Sequence, residues 1–559
     1  MIKILSTIAS CVLAIGLVGC GGGSSTPTPT PTPSLPISPG SANVTIGGSQ
    51  TFTSSTPGVT WSLTGPGTIN QNGVYLAPST FPGVGTDTAT VTATGGGGIG
   101  TATVTVVFPN NNGDFQSGPI KLGTSGGNVQ DISATKCCIG TLGSLLNRGG
   151  TFFILSNNHV LDRSSQGVAG EVINQPGPSE CFGASSKAVA TLTQGAPLKP
   201  TAGTDPNGCT GSTSPFCGKS PSNVDAAIAQ ISSTTAVDNV SGVPTGTILD
   251  LGTTAGATSI PDAPPSSNPF TGTVSAGLGV AKSGRTSGLT CSQVQSINGP
   301  IRVTYDASCD GPHAFDATFQ NQIVVTGANF IQPGDSGSLL VTSNSAEALG
   351  LLYASGTSGA VANPIADVFA AFNNGTAPTI VGGPDHAVSC APTATLNSAH
   401  TGLGSASTLT PQQRQAATSA MQRHMSALNG DPAIKSVAVG ASFDNPGEGA
   451  VVIEVIGATK TLIPATFDGV RTRVIYAGGA PPAIAHAAID SSTAVLRAHQ
   501  DTYMSQRGIQ GMGVGASDDN PAETAIVIYT ITGVAHDPIP AVIDGVRTKI
   551  IDGTPFQAK

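Results

Sequence analysis

The chain has few charged and few aromatic residues for its length. Only 9% of its 559 residues are Asp, Glu, Lys or Arg, and it has one tryptophan, against 74 glycines and 41 prolines. This composition argues against long charged helices and favours many short strands separated by turns. The net charge is −9 and no basic block occurs, so nucleic acid is not expected as a partner. A chain of this length is expected to form three or four domains.

A long uninterrupted apolar run is also missing. The apolar stretch at residues 4–20 follows Lys3, contains glycine and is too short for a convincing membrane span. It ends in Leu-Val-Gly-Cys, which resembles the lipobox of bacterial lipoproteins and implies loss of residues 1–19 and lipidation of Cys20. A plain secretory signal is the alternative. Residues 20–36 are a Gly/Ser and Thr-Pro tether, so we expect an exported, lipid-anchored protein of the outer membrane or cell surface.

Cysteine spacing typical of metal sites is absent as well. No Cys-x-x-Cys occurs, and eight of the ten cysteines lie between residues 137 and 390. An even number in an exported protein predicts disulfides, with no metal and no cofactor. The eight are Cys137, Cys138, Cys181, Cys209, Cys217, Cys291, Cys309 and Cys390. Short closures between strand-like flanks predict the pairs Cys209–Cys217 and Cys291–Cys309. Cys181 and Cys390 then pair with Cys137 and Cys138 in an order that stays open.

The first half of the chain is strand-like. Val/Thr-rich runs separated by Gly/Pro turns in residues 37–108 predict a small β-sandwich with Trp61 in its core. The segment "VTWSLTGPGTINQNGVYLAP" resembles the bacterial Ig-like repeats of surface proteins, so a spacer is expected, with adhesion as the alternative. Residues 116–375 are again strand-like. They are expected to close with a short helix that has Asn363 as N-cap and Pro364 at its first position.

The last part of the chain repeats itself. Residues 376–410 are interpreted as a linker, and residues 411–559 hold two copies, 411–478 and 488–559. "VAVGASFDNPGEGAVVIEVIG" in the first copy returns as "MGVGASDDNPAETAIVIYTITG" in the second. Each copy predicts a helix, a strand, an Asp-Asn-Pro turn and two further strands, and the two together predict one α+β unit. The Asp-Asn-Pro segments are interpreted as turns, with a ligand site as the alternative.

The stretch "QPGDSGSLL" contains a candidate nucleophile, Ser336. Gly-Asp-Ser-Gly is a common turn sequence, so the candidate needs a base and an acid that orients it. Residues 121–375 contain only two histidines. His159 lies in "FFILSNNHVLD", an apolar strand that runs into a polar turn, and His313 lies in a Gly/Pro loop and is expected at the surface. Asp225 leads the apolar run "NVDAAIAQI", where an aspartate needs a polar partner.

These fragments together resemble the chymotrypsin-like (trypsin-like) serine proteases. The chain order His159, Asp225, Ser336 is the order of that family. "LSNNHVL" is similar to the histidine strand of its bacterial high-temperature-requirement branch, "VDAAIA" to its aspartate strand and "PGDSGSLLV" to its nucleophile loop. "AKSGRTSGLTC" resembles a segment of the α-lytic branch. The resemblance implies a two-β-barrel domain over 116–375, in a mainly β multidomain chain, that acts as a serine endopeptidase on protein or peptide substrates.

The resemblance also implies a role for each residue of the site. His159 is the general base, and Asp225 fixes its tautomer and stabilises the imidazolium. The backbone N–H groups of Gly334 and Ser336 form the oxyanion hole. Hydrolysis then proceeds through an acyl-enzyme on Ser336.

A buried ion pair is expected to activate the site without zymogen cleavage. Asp335 needs a cationic partner if it is buried, and the resemblance makes Lys282 the first candidate and Arg285 the second. The chain departs from the family pattern at Ser338, where glycine is usual, and at Ala281, where the α-lytic branch has cysteine. These departures put the disulfide pairing and the substrate pocket in doubt but leave the triad residues present.

The primary pocket is expected, by resemblance, beside residues 350–356, which include Tyr353 and Ser355. Phe330 stands where members that prefer Lys or Arg carry an aspartate, and no histidine occurs in 350–356. Ser355 replaces a wall glycine and narrows the pocket, so small or medium apolar side chains are the expected substrates. The alternative function is a surface-binding or adhesion lipoprotein that uses an inactive protease fold as a scaffold.

Overall fold

The computed structural model describes the chain in ten ranges and is mostly β. The described residues are 35–45, 48–78, 88–107, 112–132, 139–178, 186–201, 222–254, 260–305, 315–390 and 409–558. Several predictions concern residues outside these ranges: the signal and most of the tether, Cys20, Cys137, Cys138, Cys181, Cys209, Cys217, Cys309 and His313. Within the described ranges no helix is both long enough and apolar enough to cross a membrane.

The first unit lies between residues 35 and 107, and its described residues form strands and no helix. Its main sheet has the order β2-β9-β8-β5, in which β2 and β9 are parallel. Trp61 is 8% exposed and packs with Tyr75, Val91 and Val104 in a core of its own, because alternate residues of β5, β8 and β9 are apolar and face inward. The strands are β1 (Ile37–Ser38), β2 (Ser41–Thr45), β3 (Ser49–Thr51), β4 (Thr53–Ser54), β5 (Thr60–Thr64), β6 (Thr68–Ile69), β7 (Val74–Leu76), β8 (Thr88–Gly95) and β9 (Gly98–Val107).

The second unit begins with an eight-stranded sheet that returns on itself. Its order is β11-β10-β14-β15-β16-β13-β12-β25, and only Gly143 separates β11 from β12. Leu145, Ile154 and Ala229 fill its interior. The elements are β10 (Thr124–Asn128), β11 (Gly140–Leu142), β12 (Ser144–Arg148), β13 (Thr151–Ser156), α1 (Asn158–Leu161), β14 (Val172–Gln175), β15 (Lys187–Gly195), β16 (Ala227–Ile231), β17 (Asn239–Val240), β18 (Val243–Pro244) and, later in the chain, β25 (Thr379–Ile380).

Six further strands close into a ring beside this sheet. Their order is β19-β22-β23-β24-β21-β20, and β19 pairs again with β20. The residue numbers of the elements are β19 (Gly279–Gly284), β20 (Gly288–Tyr305), β21 (Phe315–Val325), β22 (Leu339–Thr342), β23 (Ala348–Gly356), β24 (Gly359–Pro364) and α2 (Ile365–Ala371). The β20–β21 hairpin is much longer than its neighbours and carries Tyr305 toward the eight-stranded sheet.

Two sequence predictions at the end of this unit were wrong. The short helix begins at Ile365 rather than Pro364, because Asn363 belongs to β24 and its side chain accepts the Asp225 N–H instead of capping the helix. The segment interpreted as a linker from residue 376 is also part of the fold up to residue 390. β25 pairs with β12, and Cys390 forms a disulfide.

The two copies of the repeat have matching elements. Each has a helix, two long antiparallel strands, a two-residue strand and a strand parallel to the second long strand. The first copy contains α3 (Pro411–Asn429), β26 (Ile434–Ala441), β27 (Gly449–Val455), β28 (Thr466–Phe467) and β29 (Val470–Tyr476). The second contains α4 (His486–Met504), β30 (Ile509–Ala516), β31 (Thr524–Ile531), β32 (Val542–Ile543) and β33 (Val546–Gly553), followed by β34 (Gln557–Ala558).

Buried arginines join the two copies symmetrically. Arg471 is 1% exposed and donates to the carbonyl and hydroxyl oxygens of Thr548 at 2.6 and 3.0 Å. Arg547 is 2% exposed and donates to the same two groups of Thr472 at 2.8 and 2.9 Å. Because each guanidinium satisfies backbone groups of the other copy, neither copy is complete alone.

The Asp-Asn-Pro turns also cross between the copies. Asp519 accepts the Ser442 hydroxyl at 2.6 Å, and Asp444 accepts the Ser517 hydroxyl at 2.6 Å. Burial raises the pKa of both aspartates, and the charge of Asp519 raises the pKa of Asp444 further. The two turns therefore serve the contact between copies.

The repeat pair is not a separate domain, as the boundary predicted at residue 411 implied. β20 pairs with β30, so the sheet of the six-stranded ring continues into the second copy. One apolar cluster contains Leu340 and Leu352 from the ring together with Leu496 and Ile526 from the second copy. The ring and the second copy share a core.

Candidate active site

His159 lies on a single helical turn at the end of β13. The apolar strand β13 leads directly into this turn, and the buried side chains of Val160 and Leu161 anchor the turn. Asn158 is fully buried and donates to the Ala196 carbonyl at 2.8 Å. Because its neighbours are fixed, the His159 side chain has a defined direction.

Asp225 is hydrogen-bonded to the imidazole of His159. Its Oδ2 lies 2.6 Å from Nδ1 of His159, and its Oδ1 accepts the His159 backbone N–H at 3.2 Å. The carboxylate is 0% exposed and the imidazole 14% exposed. A carboxylate beside Nδ1 places the ring proton there, which leaves the Nε2 lone pair available as a base.

Sequence reasoning missed Tyr305 as a partner of this aspartate. The phenol donates to Oδ2 of Asp225 at 2.7 Å, and its ring stacks on Phe315 with centroids 4.8 Å apart. Burial raises the pKa of Tyr305 well above its ordinary value, and the negative charge of Asp225 adds to this, so the phenol stays a donor. The sequence predicts only that residues 116–375 are strand-like, and no local signal places Tyr305 beside Asp225.

A network of buried hydrogen bonds holds the backbone of Asp225 in place. Asn363 accepts the Asp225 N–H at 2.9 Å and donates to Oε1 of Gln322 at 2.8 Å. The Tyr353 hydroxyl donates to the same oxygen at 3.0 Å. These contacts cross from the eight-stranded sheet to the six-stranded ring and fix one against the other.

Ser336 lies in a tight turn before β22. Gly334 and Gly337 have φ of +98° and +95°, which side chains larger than hydrogen rarely adopt. A Cβ on Gly334 would lie 2.5 Å from Oγ1 of Thr286. The Thr141 N–H donates to the Ser336 carbonyl at 2.7 Å, which seats the turn against the sheet that carries His159.

The structure does not join Ser336 to His159 by a hydrogen bond. The Ser336 hydroxyl donates to the Tyr353 carbonyl at 3.2 Å. Within the described ranges Nε2 of His159 is buried and has no hydrogen-bond partner. A free imidazole nitrogen and a hydroxyl bonded elsewhere match a site without substrate, in which catalytic hydrogen bonds are often still unformed.

The two amides predicted for the oxyanion hole are available. Among the described residues, the N–H groups of Gly334 and Ser336 donate to no backbone or side-chain acceptor. The Gly334 carbonyl is held by the Thr141 hydroxyl at 2.9 Å, so the peptide plane before Asp335 is fixed. Fixed, unoccupied donors beside a serine are the arrangement that stabilises an oxyanion.

Lys282 and Asp335 form a buried ion pair. Both are 0% exposed, and Nζ of Lys282 lies 3.1 Å from Oδ2 of Asp335 and 3.0 Å from the Gly288 carbonyl. Burial lowers the pKa of Lys282, against the effect of the nearby carboxylate. Burial alone would raise the pKa of Asp335, but Lys282 and hydrogen bonds from Ser287 and Gln332 hold it below its ordinary value.

Arg285, the second candidate for this role, lies in the turn between β19 and β20. Its guanidinium donates to the Thr286 hydroxyl at 2.9 Å, and its backbone N–H donates to Oγ1 of Thr141 at 2.9 Å. The ion pair with Asp335 that the structure shows is the one with Lys282.

The three residues predicted for the substrate pocket are all buried. Phe330 is 3% exposed and packs in the core shared with the second repeat copy, so its ring does not line an open pocket. Tyr353 is fully buried, and Ser355 is 6% exposed and pairs with Gln557 of β34. The position of Phe330 in sequence gave no information on this packing, which depends on residues far along the chain.

The predicted disulfide Cys291–Cys309 was wrong. Cys291 is bonded to Cys390, with Cα atoms 5.7 Å apart. Cys291 is near the start of the 18-residue strand β20, and a strand rises about 3.3 Å per residue. The strand therefore carries the chain far beyond the roughly 6 Å between Cα atoms that a disulfide spans. Cys390 was predicted to pair with Cys137 or Cys138 because the short closures were paired first, and that assignment of Cys390 was wrong as well.

In the described part of the chain, no group of three or more His, Cys, Asp or Glu side chains is placed to hold a metal ion. The candidate catalytic cluster of this structure is the one around His159, Asp225 and Ser336. Its parts are a base with a free nitrogen, a buried carboxylate, a hydroxyl and two free amides. This set can carry out nucleophilic attack on an acyl carbonyl without a cofactor.

Comparison with known proteins gives structural neighbours only. No protein-family model and no curated protein matches the chain. A glutamic-acid-specific serine protease that uses a histidine triad in substrate binding is 18% identical, with 47% of this chain and 100% of that one covered and a TM-score of 0.27. Protease A of Thermobifida fusca is 17% identical (47% and 100% covered, TM-score 0.27). A chymotrypsin of Cellulomonas bogoriensis is 15% identical (46% and 97% covered, TM-score 0.26). Likeness at these TM-scores supports no inference about the activity of this chain.

Proposed function

We propose that the protein is an exported, lipid-anchored serine endopeptidase with a chymotrypsin-like two-barrel domain and the triad His159, Asp225 and Ser336. The observation that carries the proposal is the buried Asp225 carboxylate 2.6 Å from Nδ1 of His159, which leaves Nε2 without a partner. Ser336 also supports the proposal, because its turn places the free backbone N–H groups of Gly334 and Ser336 beside its hydroxyl.

In the proposed reaction Nε2 of His159 takes the hydroxyl proton as Ser336 attacks the substrate carbonyl. The imidazolium is stabilised by Asp225, and the developing oxyanion is bound by the N–H groups of Gly334 and Ser336. Removing one such donor typically costs about 3–4 kcal/mol of transition-state stabilisation. His159 then returns the proton to the leaving amine, and water hydrolyses the acyl-enzyme by the same route.

Location and specificity are parts of the same proposal. Cys20 is the lipid site, residues 37–108 are an Ig-like spacer, and the endopeptidase acts at the outer membrane or cell surface. The proposed primary specificity is for small or medium apolar side chains; it rests on the resemblance of residues 350–356, which contain no histidine, and not on the buried Phe330.

A fluorophosphonate probe tests the nucleophile directly. The full-length protein is expected to be labelled, and Ser336→Ala or His159→Ala to abolish labelling. Ser338→Ala is the matched control, since this serine lies two residues away in the same turn and donates to the Asp335 carbonyl. Labelling that survives in Ser336→Ala, or folded wild-type protein that is never labelled, would favour the alternative of an inactive scaffold for surface binding.

The two catalytic groups are also expected to act as a unit. Ser336→Ala and His159→Ala should each lower kcat by several orders of magnitude, and the double variant should lose little more, because each residue is useless without the other. Steady-state hydrolysis of a peptide amide measures this. Additive losses would place the two residues in different functions.

A further inference from the structure

One edge of β23 passes directly beside the candidate nucleophile. The Gly337 N–H donates to the Leu352 carbonyl at 2.9 Å, and the Ser336 hydroxyl donates to the Tyr353 carbonyl at 3.2 Å. The strand continues from there into residues 354–356. A peptide that joined this edge as an added strand would run past Ser336, which is a common way for proteins to hold extended peptides.

The chain itself already occupies the next positions of that edge. In β34, Gln557 lies opposite Ser355 and Ala558 lies opposite Ala354, in antiparallel register. Since the pairing proceeds from Ser355 to Ala354, the chain direction leads toward Tyr353. Residues 554–558, here called the closing segment, thus run toward the nucleophile as an extended substrate would.

The closing segment is held by specific contacts. Phe556 is 0% exposed, and its ring packs edge-on against Tyr529 with centroids 5.6 Å apart. Gln510 accepts the Phe556 N–H at 2.8 Å and donates to the Thr554 carbonyl at 3.1 Å. Thr554 and Thr357 exchange two hydrogen bonds of 2.8 and 3.1 Å. Gln510 belongs to the second repeat copy, so the repeat anchors the segment.

Gln557 is the residue whose backbone faces the edge of β23. The Thr304 N–H donates to the Phe556 carbonyl at 2.9 Å, which directs that carbonyl toward β20. Successive residues of a strand direct their backbone groups to opposite sides. Gln557 therefore directs its N–H and C=O toward Ser355, where a substrate strand would make its own backbone pair.

We propose that the closing segment is an intramolecular competitor that occupies the binding edge for extended peptides and must leave before they bind. This inference rests on the proposed function. In this closed form Ser336 is 0% exposed and Nε2 of His159 is buried. The repeat pair then has a task that its own sequence does not reveal, which is to hold the segment in place.

The test is Gln557→Pro in the full chain, because proline removes the N–H that faces Ser355 and disfavours pairing. With fluorescein-labelled casein as the extended substrate, KM is expected to fall by about tenfold at unchanged kcat, since KM is raised by the fraction of closed molecules. Gln557→Ala is the matched control, because it keeps the N–H and should remain closed. A synthetic peptide of residues 553–558 should compete with casein in the proline variant.

A second measurement does not depend on the folding of that variant. In full-length Ser336→Ala, saturating casein should speed hydrogen exchange of the amides in residues 556–558, as the closing segment is displaced. Unchanged exchange there, or unchanged KM in Gln557→Pro while p-nitrophenyl acetate is still hydrolysed, would overturn the inference. Failure of every form to hydrolyse p-nitrophenyl acetate would instead overturn the proposed function itself.

Discussion

Tyr305 has a hydroxyl whose removal tests how Asp225 is held. Tyr305→Phe keeps the ring that stacks on Phe315 and removes only the donor to Asp225. A hydrogen bond to a charged group is worth about 1.5–3 kcal/mol, so we expect kcat to fall by roughly tenfold or more with little change in KM. Peptide hydrolysis measures both constants.

Tyr353→Phe is the matched control for this prediction. Its hydroxyl is equally buried but donates to Gln322, which reaches Asp225 only through Asn363. The loss of kcat should be smaller than in Tyr305→Phe. Equal losses in the two variants would mean that both tyrosines serve the packing of the two sheets and that neither positions the carboxylate.

Lys282 provides a second prediction for a single side chain. Lys282→Met removes the cation that pairs with Asp335 and leaves that carboxylate buried. Removing one partner of a buried pair typically costs about 3–5 kcal/mol, so the turn that carries Gly334 should rearrange and fluorophosphonate labelling should be lost. Thermal unfolding and labelling rate are the measurements.

A double variant provides the control for the Lys282 prediction. Lys282→Met with Asp335→Asn removes both charges of the buried pair, so the melting temperature should recover by more than half of the loss seen in Lys282→Met alone. Wild-type labelling in the single variant, with no loss of stability, would show that the ion pair has no part in shaping the turn.

At the scale of elements, short-range signals in the sequence were informative and long-range ones were not. The apolar run before His159 and the Gly-Asp-Ser-Gly turn could be predicted, because each depends on residues within a few positions. Tyr305 could not be, since its contact depends on the length of a hairpin in which it pairs with Phe315. The Cys291–Cys390 bond joins residues separated by 99 positions, with no local pattern that links them.

The pairing of repeat copies was predictable only in part for the same reason. The internal similarity predicted two alike helix-and-strand units that pack together. It did not predict that Arg471 and Arg547 are buried between them, because charged residues are almost never fully buried unless paired. Nor did it predict that β30 joins β20, since a strand edge does not identify its partner in the sequence.

The contact between the copies should depend on pH. In the folded protein, burial and the charge of Asp519 raise the pKa of Asp444. At pH values between the ordinary and the raised pKa, the folded protein therefore binds more protons than the unfolded chain. Stability is then present at acidic pH and lost as pH rises through the raised pKa.

Asp444→Asn keeps an acceptor without the charge, and should stabilise the protein by on the order of 1 kcal/mol at pH 8. Denaturant unfolding at pH 5 and pH 8 is the measurement, and the gain should be smaller at pH 5, where only part of the loss of stability has accumulated. An equal effect at both pH values would contradict the assignment.

At the scale of the whole molecule, the first unit and the repeat pair are attached in different ways. The described strands between residues 35 and 107 pair only with each other, and their apolar cluster contains no residue from later in the chain. The repeat pair instead continues the sheet of the six-stranded ring and shares its core. The first unit should therefore be removable and the repeat pair should not.

Two truncations test this difference. A chain that lacks residues 1–108 should keep its melting temperature within a few degrees and keep Ser336-dependent labelling.

A chain that stops at residue 390 should be insoluble or unfolded and unlabelled, because Leu340, Leu352 and the edge of β20 would face water in one contiguous apolar patch. Coexpression of residues 409–558 as a separate fragment should restore soluble, labelled protein, since the missing surface is then supplied from outside. A soluble chain ending at residue 390 with the melting temperature of the full protein would show that the ring folds without the repeats and that their contact is incidental.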